Sequence, residues 1–146
     1  MTYIVRNIDL LDTKPSTGIG IKIPFDGSTG INTTYSTRDA IKSNLLNFIL
    51  TGKRERVMNP SFGAGVKELL FQPITDEIID QIDALIRGGV ETYFPTVNIK
   101  ELNVTLQPNN NTFIIYLNYS IINTNIEDEL QINLNNGWKQ TNTISK

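Results

Sequence analysis

The chain has 146 residues, 39% of them apolar, and a net charge of −2 from 13 Lys and Arg against 15 Asp and Glu. That is the size and composition of one globular domain around a single core, and the charge gives no broad attraction to phosphate backbones or anionic membranes, so nucleic acid and membrane are not expected partners. With no Cys and no His, disulfides and thiolate metal sites are excluded and the commonest general base is missing, so chemistry near neutral pH would rest on carboxylates, Lys or Tyr.

Residues 1–17 form a weakly patterned lead-in without the continuous apolar stretch of a signal peptide, and no segment is apolar enough to span a bilayer, so folding in the cytoplasm is expected. In residues 18–24, Ile19, Ile21 and Ile23 alternate with small or charged residues, predicting a short strand or arm that Pro24 keeps at an edge. Residues 26–30 carry turn chemistry. Ser36, followed three residues on by Asp39, resembles a capping box with Asp for the usual Glu. Ile41, Leu45, Phe48 and Ile49 then make an apolar stripe, predicting a helix over 37–51. Gly52 is expected to close it in the left-handed conformation, with Lys53 and Arg54 near the carbonyl end of the dipole.

Residues 53–73 read as a charged turn, a tight loop punctuated by Pro60, Gly63 and Gly65, and a short buried helix carrying Val66, Leu69 and Leu70 that Pro73 stops. A long helix follows. Thr75 is placed to cap it, Asp76 and Glu77 put negative charge in its first turn, and Ile74 is placed to staple onto Ile79. Ile78, Ile82, Leu85, Ile86, Gly89 and Tyr93 share one face, which is expected to meet a sheet. Gly88 and Gly89 inside this helix cost about 1 kcal/mol each relative to Ala. Close packing of helix against sheet accounts for them, with a groove for a partner's backbone as the alternative.

After Pro95 the apolar period changes to two. Leu102, Val104 and Leu106 alternate with polar residues, residues 108–111 turn the chain, and Phe113, Ile115, Leu117, Tyr119 and Ile121 line one face of a second strand. Ile114, Tyr116 and Ile122 lie on its other face, as in a central strand covered on both sides or awaiting a partner. Leu130, Ile132 and Leu134 mark a third strand after the turn at residues 123–125. The expected fold is α+β, with helices on one face of a small, mainly antiparallel sheet formed largely by the C-terminal half. The polar tail from about Asn135 has the composition of an arm that folds on binding.

A glycosidase would need two carboxylates flanking one bond, one of them kept protonated by an apolar pocket. Glu55 is the most distinctive acid, but Arg54 and Arg56 beside it favour its charged form and make it a poor general acid. Asp76, Glu77, Asp80 and Asp83 read as a solvated helix start. Gly63-Ala64-Gly65 does not follow a strand and lacks a third glycine, and Thr51-Gly52-Lys53 lacks the rest of a phosphate-binding loop. Lys53, Arg54 and Arg56 form too short a basic patch for nucleic acid.

Glu55, Arg56, Met58, Pro60, Phe62, Gly63 and Gly65, continued by Leu69, Leu70, Phe71 and Pro73, resemble the signature of the baseplate wedge and sheath-initiator family of contractile phage tails. That family also supplies a baseplate component to type VI secretion systems and is often labelled lysozyme-like. The resemblance extends upstream to Ile23-Pro24-Phe25-Asp26 and through the strands, covering residues 18–135 as one domain between the lead-in and a tail at 136–146. It implies a non-enzymatic virion subunit of the tail baseplate with no cofactor or metal. Such a subunit would link the wedge core to the first sheath ring and template sheath by strand addition. The implied partners are other wedge proteins, the tail sheath protein, and tube or hub proteins. The family's Glu-Pro-Arg hallmark, a contact to neighbouring wedge proteins, falls here on Phe94, Pro95 and Thr96, which keep the proline but neither charge. Either an apolar contact through Phe94 then replaces the charged one, or the partner differs, or Tyr93 and Phe94 close the core. Sheath-contact candidates are Leu130, Ile132, Leu134 and Trp138. The alternatives are a secretion-system or tailocin component, a peptidoglycan hydrolase and, since a bacterial anti-adaptor shares the fold the resemblance implies, a small regulatory adaptor.

Overall fold

A computed structural model describes residues 17–23, 31–72, 75–107, 112–122 and 126–135. Outside these lie Pro24, the turn at 26–30, Pro73, the Ile74 staple, the turns at 108–111 and 123–125, and the tail with Trp138.

The alternating C-terminal half forms an antiparallel sheet of β3 (Val97–Gln107), β4 (Thr112–Ile121) and β5 (Glu127–Asn135), in the order β3-β4-β5. The central strand presents Phe113, Ile115, Leu117, Tyr119 and Ile121 to the core, each at most 5% exposed. Opposite them in register stand Leu102 and Val104 on β3 and Leu130, Ile132 and Leu134 on β5. On the other face of β4, Ile122 just past the strand is exposed at 48%. Ile114 and Tyr116 are half-buried between Thr105 and Asn103 on one side and Asn133 and Gln131 on the other, and the Tyr116 hydroxyl donates to Glu129 Oε2 at 2.7 Å. Cross-strand neighbours thus shelter Ile114 and Tyr116.

Helix α1 (Thr37–Leu50) starts at the predicted cap with one of the two capping-box bonds: the Asp39 N–H donates to Ser36 Oγ at 3.2 Å, and the return contact is between side chains, the Ser36 hydroxyl donating to Asp39 Oδ2 at 2.8 Å. Its end differs from expectation. The chain leaves at Thr51 in an extended conformation (φ −84°, ψ 127°), and Arg54, not Gly52, takes the left-handed conformation at φ 66°. Thr51 closes the last turn instead, donating its N–H to Asn47 O at 3.0 Å and its hydroxyl to the same carbonyl at 2.6 Å. Gly63 (φ 110°) and Gly65 (φ 71°) supply the positive φ that turns the loop into α2 (Val66–Leu69).

Helix α3 (Asp76–Tyr93) has Thr75 at its cap position, but no side-chain cap bond forms; the Thr75 carbonyl accepts from the Ile78 N–H at 3.1 Å. Ile78, Ile82, Ile86 and Val90 are the buried side chains of the helix, with Leu85 and Tyr93 partly buried against the core. The close approach at Gly89 is to α1 and neither to the sheet nor to an empty groove. A Cβ at Gly89 would lie 2.1 Å from Phe48 Cζ, whereas one at Gly88 would meet nothing within 4 Å. The Phe48 ring also stands edge-on to Phe62 and Phe94, at centroid distances of 5.5 and 5.7 Å, and tilted against Tyr93 at 5.8 Å. Helices α1 and α3 therefore meet at Phe48, with α3 over β3 and α1 beside β5.

The expected arm is shorter than its alternation predicts and has a partner that sequence did not show. β1 (Gly20–Ile21) pairs with β2 (Thr33–Thr34) in a small antiparallel ladder separate from the main sheet. The Ile23 N–H donates to Ser43 Oγ at 3.3 Å, tying this ladder to α1.

The two adjacent glycines separate packing from propensity. Gly88→Ala should raise unfolding stability by up to about 1 kcal/mol through helix propensity alone. Gly89→Ala should lower it by about 1–2 kcal/mol, because displacing Phe48 outweighs that gain. Chemical denaturation of both variants measures the opposite signs.

Candidate functional site

The loop from Gly52 to Gln72 is built onto the carbonyl end of α1. The Ala64 N–H donates to Phe48 O at 3.0 Å and the Gly65 N–H to Thr51 O at 3.2 Å, satisfying carbonyls that a helix end leaves open. A Cβ at Gly63 would lie 2.5 Å from Thr51 O, so the close approach needs glycine. Within the loop the Arg54 N–H donates to Pro60 O at 2.9 Å, the Asn59 N–H to Arg56 O at 3.2 Å and the Phe62 N–H to Asn59 O at 3.0 Å.

Glu55 does not use its flanking arginines. Its Oε2 accepts from the Gly52 N–H at 2.8 Å and its Oε1 lies 3.8 Å from Lys67 Nζ, while the Arg56 guanidinium sits 4.4 Å from the centre of the Phe62 ring. The motif thus divides into two sets. Glu55, Arg56, Phe62, Gly63 and Gly65 shape the loop. Met58, Pro60 and Phe71 are exposed, Met58 and Phe71 at 94% and 78%, with Val57 beside Met58 at 92%.

At the other end of α3, Phe94 is the C-cap. Its N–H donates to Val90 O at 2.8 Å, its carbonyl accepts from the Val97 N–H at 2.9 Å, and its half-buried ring packs on Phe48. Pro95 and Thr96 are exposed, and the Thr96 carbonyl accepts from the Ile122 N–H at 2.8 Å, fastening the start of β3 to the end of β4.

On β5 the side chains of Leu130, Ile132 and Leu134 are buried in the core, so what this strand offers a partner there is its backbone edge. Strand β5 also carries a feature absent from the sequence reading. Asp128 is buried, with Arg38 Nη2 at 2.8 Å and Lys42 Nζ at 3.6 Å, both from α1. The Tyr119 hydroxyl donates to Asp128 Oδ2 at 3.4 Å, and the Glu129 N–H donates to Oδ1 at 3.0 Å. Burial pushes the Asp128 carboxyl up, but the Arg38 hydrogen bond, the Lys42 charge and the Glu129 N–H outweigh it and hold the group below its ordinary value. Burial, and then the charge and hydrogen bond of Asp128, push the Tyr119 phenol well above its usual range. Arg38 and Asp128 lie 90 residues apart in sequence. The available signal was parity: Asp128 shares the inward register of Leu130, Ile132 and Leu134.

The remaining acids are dispersed. Asp76, Glu77 and Asp80 are exposed, and Asp83 pairs with Arg87 at 2.8 Å one turn on. Among the described residues no group of three or more His, Cys, Asp or Glu is placed to hold a metal.

Asp128→Asn should cost on the order of 2 kcal/mol, below the usual loss for a fully buried pair because Arg38 remains 43% exposed. Since the folded carboxyl titrates below its unfolded value of about 4, its contribution is complete above that pH and is lost as pH falls through the folded value. Denaturation curves against pH should therefore show wild type losing stability on the acid side, with a flatter acid limb in the variant.

The model of the "Baseplate wedge protein gp25" family matches residues 35–126. The baseplate wedge protein gp25 of Enterobacteria phage T4 is 32% identical over 95 residues, which is 65% of this chain and 71% of that protein. The crystal structure of a candidate tail lysozyme from Geobacter sulfurreducens superposes with a TM-score of 0.62 at 19% identity over 70% of this chain and 93% of that one, a likeness of fold alone. A chain of the anti-feeding prophage baseplate gives a TM-score of 0.49 at 20% identity over 75% and 77%, too slight to bear on function. The matched segment begins just before α1 and ends at Ile126, one residue before β5, taking in the Glu55 loop, α3 and the β3–β4 hairpin, and on that match the chain belongs to the family of the baseplate wedge protein gp25.

Proposed function

We propose that this chain is a structural subunit of a contractile-tail baseplate, joining the wedge core to the first ring of sheath and seeding sheath by strand addition on β5. The observation that carries the reading is the contrast between the two edges of the sheet. Strand β5 runs regularly against β4 from Glu127 to Asn135, while β3 is interrupted by a bulge between Ile99 and Glu101. A bulge blunts a strand against pairing; an unbroken edge invites it through main-chain hydrogen bonds. Membership of the gp25 family supports the baseplate setting. In this reading the protein is assembled in the host cytoplasm and resides in the tail, with wedge proteins, sheath, and tube or hub proteins as neighbours. Phe94, Pro95 and Thr96 then face the wedge, residues 18–135 act as the body, and the segments at 1–17 and 136–146 are arms, the second anchored through Trp138.

The chain acts without catalysis. Glu55, its most distinctive acid, has both carboxylate oxygens engaged by loop partners, at Gly52 and Lys67. Purified protein should leave a peptidoglycan suspension turbid, and Glu55→Gln should lower stability by less than about 1 kcal/mol, since Gln still accepts from the Gly52 N–H. Clearing by wild type that Glu55→Gln abolishes would overturn the non-enzymatic reading.

Strand addition is tested with Gln131→Pro and Ile132→Pro. Successive N–H groups in a strand point to opposite sides, so one variant breaks the ladder to β4 and the other removes an edge donor. The variant that stays folded and enters baseplates should give particles with little or no sheath. Full-length sheath on baseplates shown to contain it would contradict templating at this edge.

A further inference from the structure

The loop apex at Val57 and Met58 has no part in the framework around it, yet that framework holds it in one shape. The Arg54–Pro60 and Arg56–Asn59 backbone bonds close the loop at its base, the Arg56–Phe62 stack and the Glu55–Gly52 bond brace its flanks, and Lys53 Nζ donates to Ser61 O at 3.2 Å. Val57 and Met58 stand at 92% and 94% exposure on that frame. Two apolar side chains held in water on a fixed turn are preorganised for insertion, because little ordering remains to be done on binding.

Charge narrows what they insert into. Lys53, Arg54 and Arg56 are exposed at the base of the apex, and Arg54 forms no ion pair among the described residues. The one acid among them, Glu55, is engaged by Gly52 and Lys67. The apex is therefore apolar at its tip and cationic at its rim. An acidic rim on the receiving side complements it, and an apolar recess completes the fit. A phosphate backbone would leave Val57 and Met58 in water, and an apex without an aromatic residue is a poor membrane anchor.

We infer that residues 53–60 form a plug, in which Val57 and Met58 enter an apolar recess bordered by carboxylates on a neighbouring protein, with Arg54 pairing at its rim. The proposed baseplate role bears only on which protein that neighbour is. This contact is separate from the β5 edge and gives the subunit a second attachment.

The test uses the full chain in cells that produce the remaining tail proteins, with a photo-crosslinking amino acid at position 58. Ultraviolet light should join it to one protein, at a peptide combining apolar residues with Asp or Glu. Arg54→Glu should lower the yield about tenfold or more, the loss expected of a central interface contact, and reversal of one mapped acid to Lys should restore it. Val57→Ser/Met58→Ser should keep the wild-type melting midpoint, since both side chains are in water, and should enter sedimented baseplates at least about tenfold less than wild type. Wild-type incorporation of that folded double variant would overturn the plug, as would a peptide without acids. Sedimentation of the protein with vesicles containing anionic lipid, lost in the double variant, would overturn it in favour of a membrane. If the mapped, rescuable cross-link forms but the wild-type chain is missing from particles, the plug stands and the baseplate assignment fails.

Discussion

Phe48 is the point on which the rest of the molecule depends. Its ring fills the space left by the absent side chain of Gly89, is flanked by Phe62, Tyr93 and Phe94, and has no exposed surface. Its carbonyl receives the Ala64 N–H from the loop. One residue thus fixes the spacing of α1 and α3, the seat of the loop after α1, and the exit of the chain from α3 into β3. Interiors at crystal-like packing density transmit such constraints without slack, so the loop apex and the sheet are held in a defined relation although they share no backbone.

The side of the sheet near β5 is held differently. Where α3 covers β3 by apolar packing, α1 meets β5 partly through charge, with Arg38 and Lys42 closing on Asp128 and Tyr119 beneath it. A buried carboxylate is costly unless its lone pairs are met, and here two cations, a phenol and a backbone N–H meet them. The hold on Asp128 acts on the inward face of β5, away from the backbone edge where the proposed work of the strand lies. The ion pair between Lys100 and Glu127 spans β4 and ties the two outer strands on the far face.

Much of this was legible from residue pattern. The capping box at Ser36, the stripe of α3 and the alternation of three strands are local signals, and each became the element it predicts because packing agreed with propensity. What escaped depends on distance in sequence. Gly89 read as a helix-to-sheet contact because nothing in its neighbourhood names Phe48, 41 positions earlier. The cap at Gly52 was misplaced because a glycine after a helix usually marks a left-handed turn, whereas this one makes room for Glu55. The motif around Glu55 was visible as a shaped connector, but its division into framework and exposed apex required coordinates, since Met58 and Phe62 are equally apolar on paper. Asp128 was missed because an acid at the head of a strand reads as solvent-facing until its parity is counted. The family resemblance carried the functional reading, and the match over residues 35–126 established the family itself.

The central claim is that this domain sits in a baseplate with β5 as the edge on which another protein adds a strand. Imaging an intact contractile particle to a resolution that traces main chain around this subunit tests it most directly. The account predicts the chain between wedge and first sheath ring, with a strand of sheath hydrogen-bonded along residues 127–135. A chain found elsewhere in the particle, or one whose β5 edge faces solvent beneath a complete sheath, would contradict it.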